Sequence, residues 1–106
     1  MKIAITATGN TLTSKLDTRF GRCSYFAIYD LETNDTEFIQ NPNKEAAEGA
    51  GPAAVQMIVS RGVKQIISGE FGSKVRSILD NLNIQMVMFT DPEKSIQEIV
   101  SLMVIK

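Results

Sequence analysis

Two stretches of this chain repeat one pattern: a short apolar run, a turn, then apolar residues at helical spacing. Val75, Ile78, Leu79 and Leu82 stand at i, i+3, i+4 and i+7 after Lys64-Gln65-Ile66-Ile67-Ser68. Ile96, Ile99, Val100 and Met103 repeat the spacing after residues 84–89. The spacing predicts amphipathic helices with one buried face. Strands alternating with helices must run parallel, joined by right-handed crossovers that lay the helices on the sheet faces.

The first half adds three strands. Residues 2–7 are apolar, and residues 24–30, Ser-Tyr-Phe-Ala-Ile-Tyr-Asp, are aromatic and β-branched. Glu32-Thr33-Asn34-Asp35 predicts a hairpin turn, with Asn34 at positive φ, leading into a partner strand over 36–40. Residues 8–22 are a long polar loop, and residues 41–51 are rich in Asn, Ala and Gly. Pro52 suits the first helical position, and Gly62 stops that helix after about Arg61. Ser73 and Asp91 are the expected N-caps of the later two helices. The order β-β-β-α-β-α-β-α is an α/β fold. Its most economical form is a five-stranded mixed sheet, order 3-2-1-4-5, with strand 2 antiparallel and three helices in an α/β/α sandwich. That layout is similar to the ribonuclease H-like motif.

With 106 residues there is room for one domain, 1–106. Eleven basic and twelve acidic residues leave a net charge of −1, so no global field draws in nucleic acid or a membrane surface. No run approaches the ~18 apolar residues of a membrane span. The chain has no histidine and one cysteine. That excludes a Ser-His-Asp or Cys-His triad, a zinc finger and an internal disulfide. A single thiol with five methionines suits a reducing cytoplasm.

Tracing strand directions places the 8–22 loop, the 41–51 loop, Gly69 to Ser73 and all three helix N-termini on one edge. Helix N-termini present free N–H groups and about half a positive charge, so the edge favours an anion. The 8–22 loop adds Lys15, Arg19 and Arg22 against Asp17 alone, and Cys23 follows directly. Several readings stay open here. Cys23 is either a thiolate favoured by Arg22 and the dipoles or a small buried apolar residue. Arg19 and Arg22 either face a ligand or pair with Asp17 and Asp30. Gly49, Gly51, Gly69 and Gly72 either admit a ligand to the backbone or only turn the chain. Phe20 and Phe71 either line a pocket or cap the core. Met57, Met86, Met88 and Met103 sit in apolar periodic segments and read as core. Nuclease chemistry needs clustered carboxylates, one of them on the first strand; Lys2-Ile3-Ala4-Ile5-Thr6 has none.

The block Asp17-Thr18-Arg19-Phe20-Gly21-Arg22-Cys23-Ser24-Tyr25-Phe26-Ala27-Ile28-Tyr29-Asp30 resembles the D-x-R-F-G-R-x-x-Y-F-x-I-Y-D block of the dinitrogenase iron–molybdenum cofactor biosynthesis family. The opening Met1-Lys2-Ile3-Ala4-Ile5, Asn41-Pro42, Gly49-Ala50-Gly51 and Gly69-x-x-Gly72 match as well. The resemblance implies a non-enzymatic nitrogenase accessory protein that binds or carries an iron–molybdenum cofactor, an iron–sulfur cluster or a precursor. It implies a cytoplasmic monomer or weak homodimer whose partners are the metal–sulfur cofactor and cofactor-assembly or acceptor proteins. Carried onto this chain, Arg19, Phe20, Gly21 and Arg22 form a cofactor-binding wall. Gly49, Gly51, Gly69 and Gly72 bring backbone N–H groups close, and Cys23 is the metal ligand. One cysteine supplies at most one protein ligand, so the cluster would need a second protomer, a partner or ligands of its own. The alternative is a regulatory or interaction module that binds an anionic small molecule or a protein at the same edge.

Overall fold

A computed structural model describes residues 1–46 and 48–104. The strands are β1 (Lys2–Ala7), β2 (Tyr25–Asp30), β3 (Thr36–Gln40), β4 (Val63–Ser68) and β5 (Gln85–Met88). The helices are α1 (Ala50–Val59), α2 (Ser73–Asn81) and α3 (Ile96–Val104). The sheet order is β3-β2-β1-β4-β5, the order the alternation requires. β2 is antiparallel to β1 and β3, whereas β1, β4 and β5 run parallel. Asn34 takes φ 64° in the β2–β3 turn, as expected.

Side-chain alternation splits the core into two layers. On one face Ala4, Phe26, Ile28 and Ile66 pack under Ala54, Val55 and Ile58 of α1 and Val75 and Leu79 of α2. On the other, Ile3, Ile5, Ala27 and Ile67 pack under Ile96 and Ile99 of α3 and Leu16 of the β1–β2 loop. The molecule is therefore a three-layer sandwich. Met57, Met86 and Met103 pack at the core margins, but Met88 is 54% exposed, because it ends the short edge strand β5.

The helix starts differ from the sequence expectations. α1 begins two residues before Pro52, at Ala50, with Gly49 as N-cap at φ 77°. α2 is capped by Gly72, so Ser73 is its first helical residue rather than its cap. Asp91 closes a separate turn by accepting from the Glu93 N–H at 3.0 Å. The cap of α3 is Ser95: its Oγ accepts from the Glu98 N–H (3.1 Å), while Glu98 Oε1 accepts from the Ser95 N–H (2.9 Å). This S-x-x-E capping box is a stronger start signal than Asp-Pro because it satisfies two orphan donors at once. Ser95→Ala is expected to cost about 1 kcal/mol and lower Tm by roughly 4–8 °C, measured by thermal unfolding.

Candidate functional site

The β1–β2 loop does two jobs. Its first half folds onto α3: the Leu12 and Ser14 carbonyls accept from the Gln97 and Ile96 N–H groups at 2.9 and 2.8 Å. With the Ser95–Glu98 box, this satisfies the α3 N-terminus, which therefore does not join an anion site. Its second half, residues 17–23, packs against the start of α1 through Gly21 and against Gly69 through Thr18. Asp17 docks on the end of β1, where the Thr6 hydroxyl donates to the Asp17 carbonyl (2.5 Å) and the Asp17 N–H donates to the Thr6 carbonyl (2.9 Å).

Each arginine of the expected wall has a protein partner. Arg19 forms a forked ion pair with Asp17, Nε to Oδ1 and a terminal nitrogen to Oδ2, both at 3.2 Å. The carboxylate is 5% exposed and the guanidinium 54%, so Asp17 holds the inner side of Arg19 and leaves its outer side to solvent. Donating to the Asp17 carboxylate raises the Arg19 pKa above its ordinary value. Arg22 donates instead to the carbonyls of Lys44 (3.1 Å) and Ala46, strapping the β3–α1 loop over the wall. Asn41 reinforces the strap by donating to the Gly21 and Cys23 carbonyls, both at 2.9 Å.

Cys23 is fully buried and belongs to the α1–α2 side of the core. Burial first, and the negative charge of Asp17 second, push its thiol up to about 12. Of the two readings of Cys23, burial favours the small apolar residue with a neutral thiol: Arg22 points its charge at carbonyl oxygens, and desolvation outweighs the dipoles. Among the described residues no group of three or more His, Cys, Asp or Glu side chains could hold a metal ion.

Phe20 caps the core, with its ring 5.9 Å from Phe26 and 5.7 Å from Phe71. The glycines divide into two kinds. Gly21, at φ 89°, lies so close to α1 that an added Cβ would stand 3.0 Å from Gly51 Cα. A Cβ on Gly51 would meet Val75 Cγ2 at 2.7 Å, and one on Gly69 would meet the Thr18 backbone at 2.6 Å. These three glycines let segments of this chain pack together. Gly49 and Gly72 face open space.

The open glycines mark the feature that sequence reasoning missed. Neither cap of α1 or α2 has a side chain to bond the first-turn N–H groups, and neither first turn holds an acid. Instead α2 opens with Lys74 and Arg76, the charge sign that a helix N-terminus disfavours. The Gly51–Val75 contact sets the two starts side by side. The legible signal was Gly72-Ser73-Lys74-Val75-Arg76: basic residues where acidic ones belong. Two N-termini without side-chain caps, one of them with Lys74 in its first turn and Arg76 donating to the Phe71 carbonyl at 3.1 Å, can bind an anion through backbone N–H groups and charge, without a protein bond to metal.

The family model for the dinitrogenase iron-molybdenum cofactor matches residues 1–104. The chain belongs to that iron–molybdenum cofactor family. Its fold is also that of solved structures. The apo orange protein of Desulfovibrio gigas superposes with a TM-score of 0.89 at 27% identity, covering 96% of this chain and 85% of that one. A NifB-like Thermotoga protein assigned to the DUF35 family gives 0.82 at 31% identity, with the same 96% and 85% coverage. An uncharacterised protein of Methanocaldococcus jannaschii is 32% identical over 89 residues, 81% of this chain and 72% of its relative. Among the described residues no helix is long and apolar enough to cross a membrane.

Proposed function

We propose that this chain is a non-catalytic carrier for an anionic metal–sulfur cofactor, an iron–molybdenum cofactor, an iron–sulfur cluster or a precursor of either, held at the loop edge. The cargo brings its own sulfide ligands. Arg19 and Lys74 neutralise its charge, Arg22 holds the β3–α1 loop in place beside it, and the N–H groups of Ala50, Gly51 and Ser73 donate to it. Phe20, Gly21 and Gly69 build the wall, Gly49 and Gly72 keep the helix starts open, and Cys23 supports the wall from inside. The carrying observation is the pair of adjacent helix N-termini with glycine caps, no acid in either first turn, and Lys74 and Arg76 at one of them. Family membership and the likeness to the orange protein support a carrier passing its cargo to assembly or acceptor proteins.

The burial of Cys23 also favours a second reading, an anionic small molecule at the same edge with no cluster. Anaerobic titration with iron and sulfide, and separately with isolated iron–molybdenum cofactor, tests both. Wild type and Cys23→Ala are expected to retain chromophore through desalting, and Lys74→Glu to retain it about tenfold more weakly. Loss on Cys23→Ala alone would make the thiol a ligand. No retained chromophore in any form, with competing binding of a simple oxyanion, would leave only the second reading.

A further inference from the structure

At the end of the sheet opposite the loop edge, one buried side chain has no structural reason to be polar. Gln65 stands in β4 between Ile3 of β1 and Gln85 of β5. It is 5% exposed, on a face otherwise built from Ile3, Ile5 and Ile67. Its Nε2 donates to Gln85 Oε1 at 3.1 Å, and its Oε1 is buried with no partner. A parallel strand at such a position ordinarily carries Val or Ile, which leaves nothing unpaired.

Gln65 borders an open cleft of about 490 Å³ lined by Met1, Ile3, Leu31 and Met103, with Asn34 and Gln85 completing it.

We infer that this cleft is a second binding site, for an uncharged planar molecule with a lactam-type edge, an N–H beside a C=O. The single bond between the two glutamines uses one donor and one acceptor. It leaves an acceptor on Gln65 and a donor on Gln85, and turning both amides over leaves the complementary pair. Either way the free groups match a neighbouring N–H and C=O on one ligand. The Ile3, Leu31 and Met103 walls suit the faces of a flat ring, the thioether through sulfur–aromatic contact. Among the described residues no Asp, Glu, Lys or Arg side chain lines the cleft, and the α-ammonium of Met1, which does, lies 3.7 Å from Glu32 Oε1. Its volume is that of small-molecule sites.

The probe is 2-quinolone, titrated into the full ¹⁵N-labelled chain and compared with 1-methyl-2-quinolone, which keeps the shape and loses the donor. The expected result is saturable shifts at Ile3, Gln65 and Met103, with affinity about fivefold weaker for the methylated probe. Gln65→Met is expected to weaken 2-quinolone to a similar extent, leave the methylated probe unchanged and raise Tm, since an orphaned amide is gone. Gln85→Met, at an exposed position, repeats the affinity test should Gln65→Met misfold. Equal affinity for the two probes, absence of saturable shifts in the cleft, or shifts confined to Arg19, Gly49 and Gly72 would overturn the site. So would a crystal grown with 2-quinolone that shows only an ordered water at Gln65.

Discussion

At pH 8, iodoacetamide is expected to alkylate Cys23 about 1000-fold more slowly in the folded protein than in the urea-unfolded chain. The thiol is 0% exposed, and its pKa is pushed from 9.0 up to about 12 by burial, then by Asp17. Only the thiolate is the nucleophile, and three pH units set the ratio. The same shift links stability to alkaline pH. Above about pH 9 the unfolded chain releases the proton while the folded chain keeps it to about 12, so the folded state holds more protons. Stability is therefore full below pH 9 and falls by up to about 1.4 kcal/mol per unit toward pH 12. Urea unfolding of wild type and Cys23→Ala across that range isolates the contribution, since the variant lacks it. A folded-state alkylation rate within tenfold of the unfolded one would place the thiol at the surface and restore it as a ligand.

Gly69→Ala is expected to cost about 3 kcal/mol and lower Tm by roughly 12–20 °C, whereas Gly72→Ala stays within about 0.5 kcal/mol. The two glycines sit in one loop and look equivalent in sequence. A Cβ on Gly69 would stand 2.6 Å from both Thr18 Cα and Thr18 Cβ and 2.8 Å from the Thr18 carbonyl oxygen. Backbone cannot swing aside as a side-chain tip can, so the 17–23 segment must lift from β4. That segment carries Arg19 and Phe20, and cargo retention is expected to fall with stability. Gly72 has φ −66°, open to any residue, and nothing within 4 Å of its Cβ position. Thermal unfolding of the two variants reads the difference directly. Equal Tm values would mean that Thr18 does not bear on Gly69.

Much of the fold was legible because it follows from local periodicity. Val75, Ile78, Leu79 and Leu82 can share a core only as a helix, and Tyr25-Phe26-Ala27-Ile28-Tyr29 only as a strand. Crossover handedness and chain economy then leave one sheet order. The helix starts were less legible, because caps compete within a few residues: Ser95 with Glu98 outdid Asp91, and Gly72 outdid Ser73.

The order of strands and helices, and the edge to which Arg19, Arg22, Cys23 and the glycines belong, were legible in the residues alone. Those follow from side-chain spacing and from strand direction, which neighbouring residues set. What each of those residues meets emerges only in the folded chain. Gly21 touches Gly51, Gly69 touches Thr18, Arg22 straps the loop through Ala46, and the first turn of α3 is spent on Leu12 and Ser14. Each of these depends on segments far apart in the chain coming within a few ångströms. The same kind of packing turns the cysteine inward, leaves the α1 and α2 starts without side-chain caps, and sets Gln65 beside a cleft.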